Sequence, residues 1–254
     1  MTNLNESQRL IQNWEDHMLS FCPGRDTAFE LTAELIFATA KPAIEAGLRV
    51  ADIACGYGGW SRFFQTAATA RGVNVHFTAL DGAASRLAVY QAVLGEENVS
   101  LVPGQLLETL PELAETGGEA VFDAAFFGWT AHEIPLEQLE QIYLGIRRIL
   151  KPDGLFFVAD FMPSTSPVLV SLSYQLTQQR RAAIMADPER RQQEQELHGI
   201  HRHGGHHPAH HHGGQHRHYS AEEHLALLRK TGFAINEEIW RNLNNAVLLA
   251  LNPG

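Results

Sequence analysis

Two carboxylates and a run of glycines carry the first chemistry in this chain. In Val50-Ala51-Asp52-Ile53-Ala54-Cys55-Gly56-Tyr57-Gly58-Gly59-Trp60 an apolar run ends in an acid, and a Gly-rich turn leads into a helix-like segment from about Trp60. Glycine suits that place because the chain must turn tightly and let a ligand come close to its backbone. Asp81 follows 23 positions after Gly58, at the end of a second strand-like run, Val73 to Leu80. An acid about 20 residues past the glycines can accept hydrogen bonds from a ribose diol. Together they predict a nucleoside-binding site. The turn lacks G-x-x-x-x-G-K-[ST], so no lysine waits for a triphosphate. Its order, Ala54-x-Gly56-x-Gly58-Gly59, also departs from G-x-G-x-x-G. A β-branched residue at Gly56 or Gly58 is expected to block the ligand and leave most of the fold intact.

Two further groups of side chains can do chemistry. His132 follows a fourth strand-like run, Ala120 to Phe127. Its imidazole titrates near neutral pH and can take a proton from a hydroxyl, thiol or amine. It can equally pack against a bound ligand or cap the next helix. Glu133 adjoins it, and Asp160, just past a fifth strand, can serve as a base or cap a turn. The second group is a histidine cluster: eleven of the fourteen histidines fall between His198 and His224. His206, His207, His210, His211 and His212 are its densest part and can bind Zn, Ni or Cu. Glycines and Pro208 interrupt the run, so no unique ligand set is defined. It reads as a solvated loop, a metal buffer, a metal site at the substrate, or a lid that becomes cationic near pH 6.

The elements that position these residues alternate. Residues 1 to about 45 read as helices, with Thr27-Ala28-Phe29-Glu30 as a capping box ahead of an uninterrupted run to Ala40. Strands at Leu48–Ile53, Val73–Leu80, Val99–Val102, Ala120–Phe127 and Leu155–Ala159 are separated by helices ending at Gly72, Gly95 and Lys151-Pro152-Asp153-Gly154. That alternation predicts a parallel sheet with crossover helices. Phe233–Trp240 and Ala246–Leu251, joined by Arg241 to Asn245, must pair antiparallel because their connection is short. The expected fold is α/β: a Rossmann-like doubly wound sheet, mostly parallel, with a C-terminal antiparallel hairpin. Its parts are an N-terminal helical lid (1–45), a core (46–161), an inserted helical cap with the histidine-rich loop (162–219), and a return to the sheet (220–254). In the insert, Val168 to Met185 is helix-like; its leucines and Tyr174 either line a substrate cap or fasten the helix to the core.

The Gly-rich loop with Asp52 resembles the acid-x-Gly-x-Gly-x-Gly loop of class I S-adenosylmethionine-dependent methyltransferases of the small-molecule type, with Ala54 in place of the first glycine. Ile149-Leu150-Lys151-Pro152-Asp153-Gly154 resembles the turn before their fifth strand, and Leu228 to Phe233 their final helix and strand. The resemblance covers about 48–161 and 220–251. It implies an enzyme that takes a methyl group from S-adenosylmethionine to a small-molecule acceptor. It also implies cofactor contacts from Asp52, Ala54, Gly56, Gly58, Asp81, Gly82, Gln105, Leu106, Gly128 and Trp129; for His132, the candidate base by position and chemistry, the resemblance implies packing against the cofactor or capping of the next helix. Gln105 stands where many members carry an acid beside the adenine, and its carbonyl can accept from the adenine amino group. Trp60 and Trp129 can stack on adenine or on a substrate ring, although core packing suits both; Trp14 can belong to the lid. The alternative is a histidine-rich metal-binding or metal-responsive protein on the same scaffold.

The bulk composition agrees with a small-molecule enzyme. With 254 residues, 44% hydrophobic and 19% charged, the chain can bury one large core, or a core plus a cap. Its formal net charge of −10 repels phosphate backbones, so no nucleic-acid partner is expected. The first twenty residues hold no apolar signal core, and no apolar run approaches the roughly 20 residues that span a bilayer. No membrane partner is expected, and the cytoplasm is the expected location. Cys22 and Cys55 make no disulfide framework.

Overall fold

Leu48–Ile53 (β1) is buried along nearly its whole length, as a strand covered on both faces must be. The computed structural model describes residues 4–40, 46–116, 120–193, 195 and 218–253. Within them β1 sits near the middle of a seven-stranded sheet. The other strands are β2 (Val75–Asp81), β3 (Val99–Pro103), β4 (Phe122–Gly128), β5 (Leu150–Phe161), β6 (Asn236–Asn242) and β7 (Asn245–Leu251). Their order is β3-β2-β1-β4-β5-β7-β6. The first five run parallel; β7 runs antiparallel to β5, and β6 to β7. The chain therefore steps outward from β1 to β3 and then crosses back to β4 on the other side of β1. The crevice at the carboxyl ends of β1 and β4 is the switch point where open α/β sheets bind ligands.

Helices cover both faces. Strand periodicity sends Phe126 and Phe157 to one face and Phe127 and Phe156 to the other. The first pair joins a core with Phe29, Trp60, Phe64 and Tyr90, from α2 (Arg25–Thr39), α3 (Gly59–Thr69) and α4 (Ala84–Leu94). The second joins Leu110, Leu139, Ile146 and Leu228, from α5 (Leu106–Thr116), α6 (Leu136–Ile149) and α8 (Ala221–Lys230). The remaining helices are α1 (Leu4–Phe21) and α7 (Pro167–Met185). No helix among the described residues is long and apolar enough to cross a membrane.

The architecture is the one expected, with local departures. Helix α2 starts at Arg25, after Gly24 in the left-handed conformation, and no side chain caps it. Thr27 thus lies inside the helix, and the capping box expected there does not form. A reciprocal capping box forms at Ser220 and Glu223, opening α8. Helix α5 was not expected and contains Pro111. The β6–β7 turn is tighter than the five-residue link expected, with Leu243 at φ +56°. Helix α7 buries only Ser173, while Val168, Leu169, Leu172, Tyr174 and Leu176 are exposed. Those five side chains do not fasten it to the core.

Candidate active site

The Gly-rich turn connects β1 to α3 through two left-handed glycines, Gly56 (φ +54°) and Gly58 (φ +71°). They do different work. A Cβ on Gly56 would meet nothing within 4 Å, so this backbone faces open space. A Cβ on Gly58 would stand 2.7 Å from the Tyr90 ring. The expectation that both positions tolerate a larger residue fails at Gly58, because α4 packs on it. Gly58→Ala adds overpacking of about 1–3 kcal/mol to a left-handed penalty of about 1–2 kcal/mol. A chain of this size loses about 2–4 °C per kcal/mol, so a Tm lowered by roughly 4–20 °C is expected in thermal denaturation. An unchanged Tm would contradict the Tyr90 contact. Ala54, in place of a third glycine, is itself left-handed (φ 53°), as is Trp129 at the end of β4 (φ 51°). Two of the four non-glycine residues with positive φ among those described thus flank the crevice, where backbone strain commonly gathers.

Two acids brace the turn. Asp52 ends β1 buried, accepting from the Ser61 hydroxyl at 2.6 Å. Burial pushes its carboxyl up to about 7, against the Ser61 hydrogen bond, and nearby Asp81 adds repulsion. Asp81 ends β2. Its Oδ2 accepts from the Gly56 N–H at 3.0 Å and its Oδ1 from the Ala83 N–H at 2.8 Å; Arg86 Nη1 stands 3.4 Å away. The Asp81 carbonyl accepts from the Gly104 N–H at 3.2 Å. The Gln105 side chain lies against Gly82, 3.4 Å from where a Cβ would stand. Asp52, Gly56, Asp81, Gly82 and Gln105 are thus brought to one rim, with Leu106 half-buried at the start of α5. The tie from Arg86, one turn into α4, was not foreseen, although an Arg five positions past the acid was its signal.

The far side of the crevice belongs to β4 and β5. Gly128 lets Trp60 lie against the backbone, since a Cβ there would be 3.3 Å from the indole. Trp60 is a core residue: it stacks on Phe126 at 4.7 Å and donates Nε1–H to Thr32 at 3.0 Å. Trp129 is half-buried, donates to Asn245 Oδ1 at 3.3 Å, and has the Arg25 guanidinium 5.7 Å from its ring. Trp14 meets Tyr57 of the Gly-rich turn edge-on at 5.8 Å, so α1 lies over that turn.

His132 follows β4 in a single 3₁₀ turn, Ala131–Glu133. Its Nδ1 is 2.6 Å from Asp160 Oδ1, and its backbone N–H donates to Asp160 Oδ2 at 2.7 Å. Asp160, fully buried at the end of β5, also accepts from the Phe161 N–H. Burial works against the charged imidazole, but the Asp160 charge and hydrogen bond outweigh it, and Glu133 adds to them, so the His132 pKa is raised. Burial likewise opposes the Asp160 charge, and His132 outweighs it, so that carboxyl is held below its ordinary value. With Nδ1–H donated to Asp160, neutral His132 keeps its lone pair on Nε2. Asp160 thus orients an imidazole, beyond the turn cap that its position alone suggested. Asp123, at the opposite end of β4, accepts from the Arg49 N–H and Lys151 and is structural.

The histidines expected as metal ligands, His206, His207, His210, His211 and His212, lie outside the described residues. Among the described residues no group of three or more His, Cys, Asp or Glu could hold a metal ion.

Residues 50–154 match the family model of a methyltransferase domain. An uncharacterized methyltransferase of Synechocystis sp. is 33% identical over 119 residues, 46% of this chain and 49% of that protein. The chain therefore spans about half the length of that curated relative. Among solved structures, an O-methyltransferase family protein of Burkholderia thailandensis superposes with a TM-score of 0.54 at 11% identity, covering 97% of this chain and 70% of that one. The magnesium protoporphyrin IX methyltransferase of Synechocystis, with SAH bound, gives 0.54 at 14% identity, covering 91% and 85%. At these identities the structural likeness establishes the fold.

Proposed function

We propose that this chain binds S-adenosylmethionine in the β1–β4 crevice and methylates a small molecule, a reading supported by the match of residues 50–154 to a methyltransferase domain and by the fold shared with solved methyltransferases. The observation that carries this is the Asp81–Gly56 tie: the second acid holds the Gly-rich turn by its N–H while the Gly56 backbone faces open space.

The residues present fit the cofactor. A carboxylate has about four lone-pair sites. Gly56 and Ala83 occupy one on each Asp81 oxygen, and the remaining one on each is approached, among the described residues, only by Arg86 Nη1 at 3.4 and 3.5 Å, long contacts that two ribose hydroxyls could displace. The Gln105 carbonyl can accept from an adenine amino group beside Gly82. Asp81 sets a carboxylate beside a cationic ligand, whose positive charge would also favour the ionised form of Asp52. When bound, S-adenosylmethionine supplies a methyl carbon activated by a positively charged sulfur. His132 holds, at Nε2, the proton that leaves the acceptor, and Asp160 fixes the ring that receives it. Among the described residues no cluster of ligands supports the metal-binding alternative.

Calorimetric titration with S-adenosylmethionine tests the reading. The wild type should bind, and Gly56→Ala should bind at least about tenfold more weakly because its Cβ enters the space left for the ligand. Alanine is the cleaner probe than a β-branched residue, since Ala54 already adopts the left-handed conformation two positions earlier. Equal affinity in the two proteins would show that the cofactor does not lie on this loop.

A further inference from the structure

Glu15, in α1, receives hydrogen bonds from two arginines, Arg25 on one carboxylate oxygen and Arg62 on the other. Arg25 opens α2 and is buried, at 3% exposure; Arg62 lies in the first turn of α3 and is half-buried. The three stand at the lips of the β1–β4 crevice. The Arg25 guanidinium is 5.7 Å from the ring of Trp129, which follows β4. Its Nη2 is 4.0 Å, and Glu15 Oε1 3.0 Å, from where a Cβ on Gly59 would stand at the start of α3.

Positive charge is in excess here. Among the described residues Glu15 is the one carboxylate that ion-pairs with either arginine, so two guanidiniums share a single anion. The Nε of each is buried without a hydrogen-bond partner. Burial holds the Arg25 guanidinium down at about 10, with Asp26 opposing it and the like charge of Arg62 adding to it. The helix beside them contributes the same sign. Gly58, the N-cap of α3, offers no side-chain cap, and the first N–H groups of a helix lack partners within it and favour anions. Two guanidiniums beside a helix N-terminus form a seat for a carboxylate. The carboxylate in it is the chain's own, and it closes the seat: with Glu15 in place, Arg25 has almost no surface open to a ligand. Glu15 itself is 21% exposed, so its side chain has solvent to turn into.

The cofactor carries the matching group. With its ribose on Asp81 and its adenine beside Gly82 and Gln105, its amino-acid end runs the other way, over Gly56 towards Gly59 and Trp129. That end bears one carboxylate. Two carboxylates in one seat repel at contact distance, and more strongly where water is excluded. We infer that Arg25 and Arg62 form the seat of the cofactor's carboxylate, and that Glu15 occupies this seat until the cofactor displaces it. This rests on the methyl-transfer reading and adds a step to it: cofactor entry unties α1 from α2 and α3. Helix α1 keeps its other ties, Ile11 against Tyr57 and Val89, and Asp16 with Arg190, so it loosens without leaving.

Two ligands separate the carboxylate from the rest of the molecule: S-adenosylhomocysteine and its decarboxylated analogue, adenosyl-3-thiopropylamine. In calorimetry on the full chain, Glu15→Gln should bind S-adenosylhomocysteine about tenfold more tightly than the wild type does, since a competing charge is gone, and the analogue no more tightly. Hydrogen exchange on the wild type gives a readout that does not depend on the variant folding. S-adenosylhomocysteine should speed amide exchange along α1, whose local opening becomes easier; the analogue should not. A preference for the carboxylate that is unchanged or smaller in Glu15→Gln, or α1 exchange that S-adenosylhomocysteine does not speed, would overturn the inference and leave the cofactor site standing. A wild-type chain that binds neither ligand sinks the parent reading, and this inference with it.

Discussion

Asp81→Ala is expected to weaken S-adenosylmethionine binding by at least about tenfold, the loss of more than one hydrogen bond to a charged acceptor. The side chain does two things at once. It offers on each oxygen an acceptor site that, among the described residues, only a long Arg86 contact approaches, and it holds the Gly-rich turn through Gly56 and the next turn through Ala83. Removing it takes away the ribose acceptor and releases the backbone that the cofactor lies against. It also takes Arg86 away from its buried partner. Asp123→Ala is the control. Asp123 is also a buried strand acid, but it sits at the other end of the sheet, bound to Arg49 and Lys151. Its loss should lower Tm and leave cofactor affinity intact. Calorimetry on both variants, with circular dichroism to confirm folding, separates the outcomes. A folded Asp81→Ala with wild-type affinity would remove the acid from the site.

Whatever depended on short-range pattern was legible before the structure. The apolar run to Ile53, the glycines after it and Asp81 at the end of the next strand are each signalled within a few residues, and together they locate the crevice. The hairpin follows from loop length alone. What escaped depends on residues far apart in the chain. Gly58 is intolerant because Tyr90 packs on it from α4. Asp160 matters because β5 lies next to β4 and sets it against His132, 28 positions earlier. The start of α2 belongs to the same class: Asn242 donates to the Pro23 carbonyl and Asn245 to that of Phe21, so distant residues of the hairpin shape the bend between α1 and α2. Helix α5 was missed for another reason. Pro111 is a helix breaker by propensity, yet Leu110 is buried in the core and Leu113 packs against it, and tertiary contact overrides the local signal.

The His132–Asp160 pair gives the other large expected effect. His132→Gln should lower kcat by about 100-fold or more, the range of a lost general base, with S-adenosylmethionine affinity unchanged. The direction of the pKa shifts adds a signature that a packing histidine lacks. His132 must be neutral to accept a proton, and its pKa is raised above the ordinary value. The rate should therefore climb with pH along a limb centred above about 6.5. Asp160→Asn keeps the shape and removes the charge, so the limb should move to lower pH while the plateau falls. Stability should run the opposite way. A histidine with a raised folded pKa contributes stability that is full below its unfolded value of about 6.5 and is lost as pH rises through the folded value. Asp160, with a lowered folded pKa, contributes stability present above about 4 and lost as pH falls through its folded value. The stability difference between wild type and His132→Gln should thus be largest between about pH 4 and 6.5, where the enzyme is least active, and should shrink as the rate rises. Chemical denaturation and kcat profiles on the same buffers measure both curves. If kcat in His132→Gln stays at the wild-type level, or the limb stays in place in Asp160→Asn, the imidazole is a packing residue, and the acceptor proton leaves by another route.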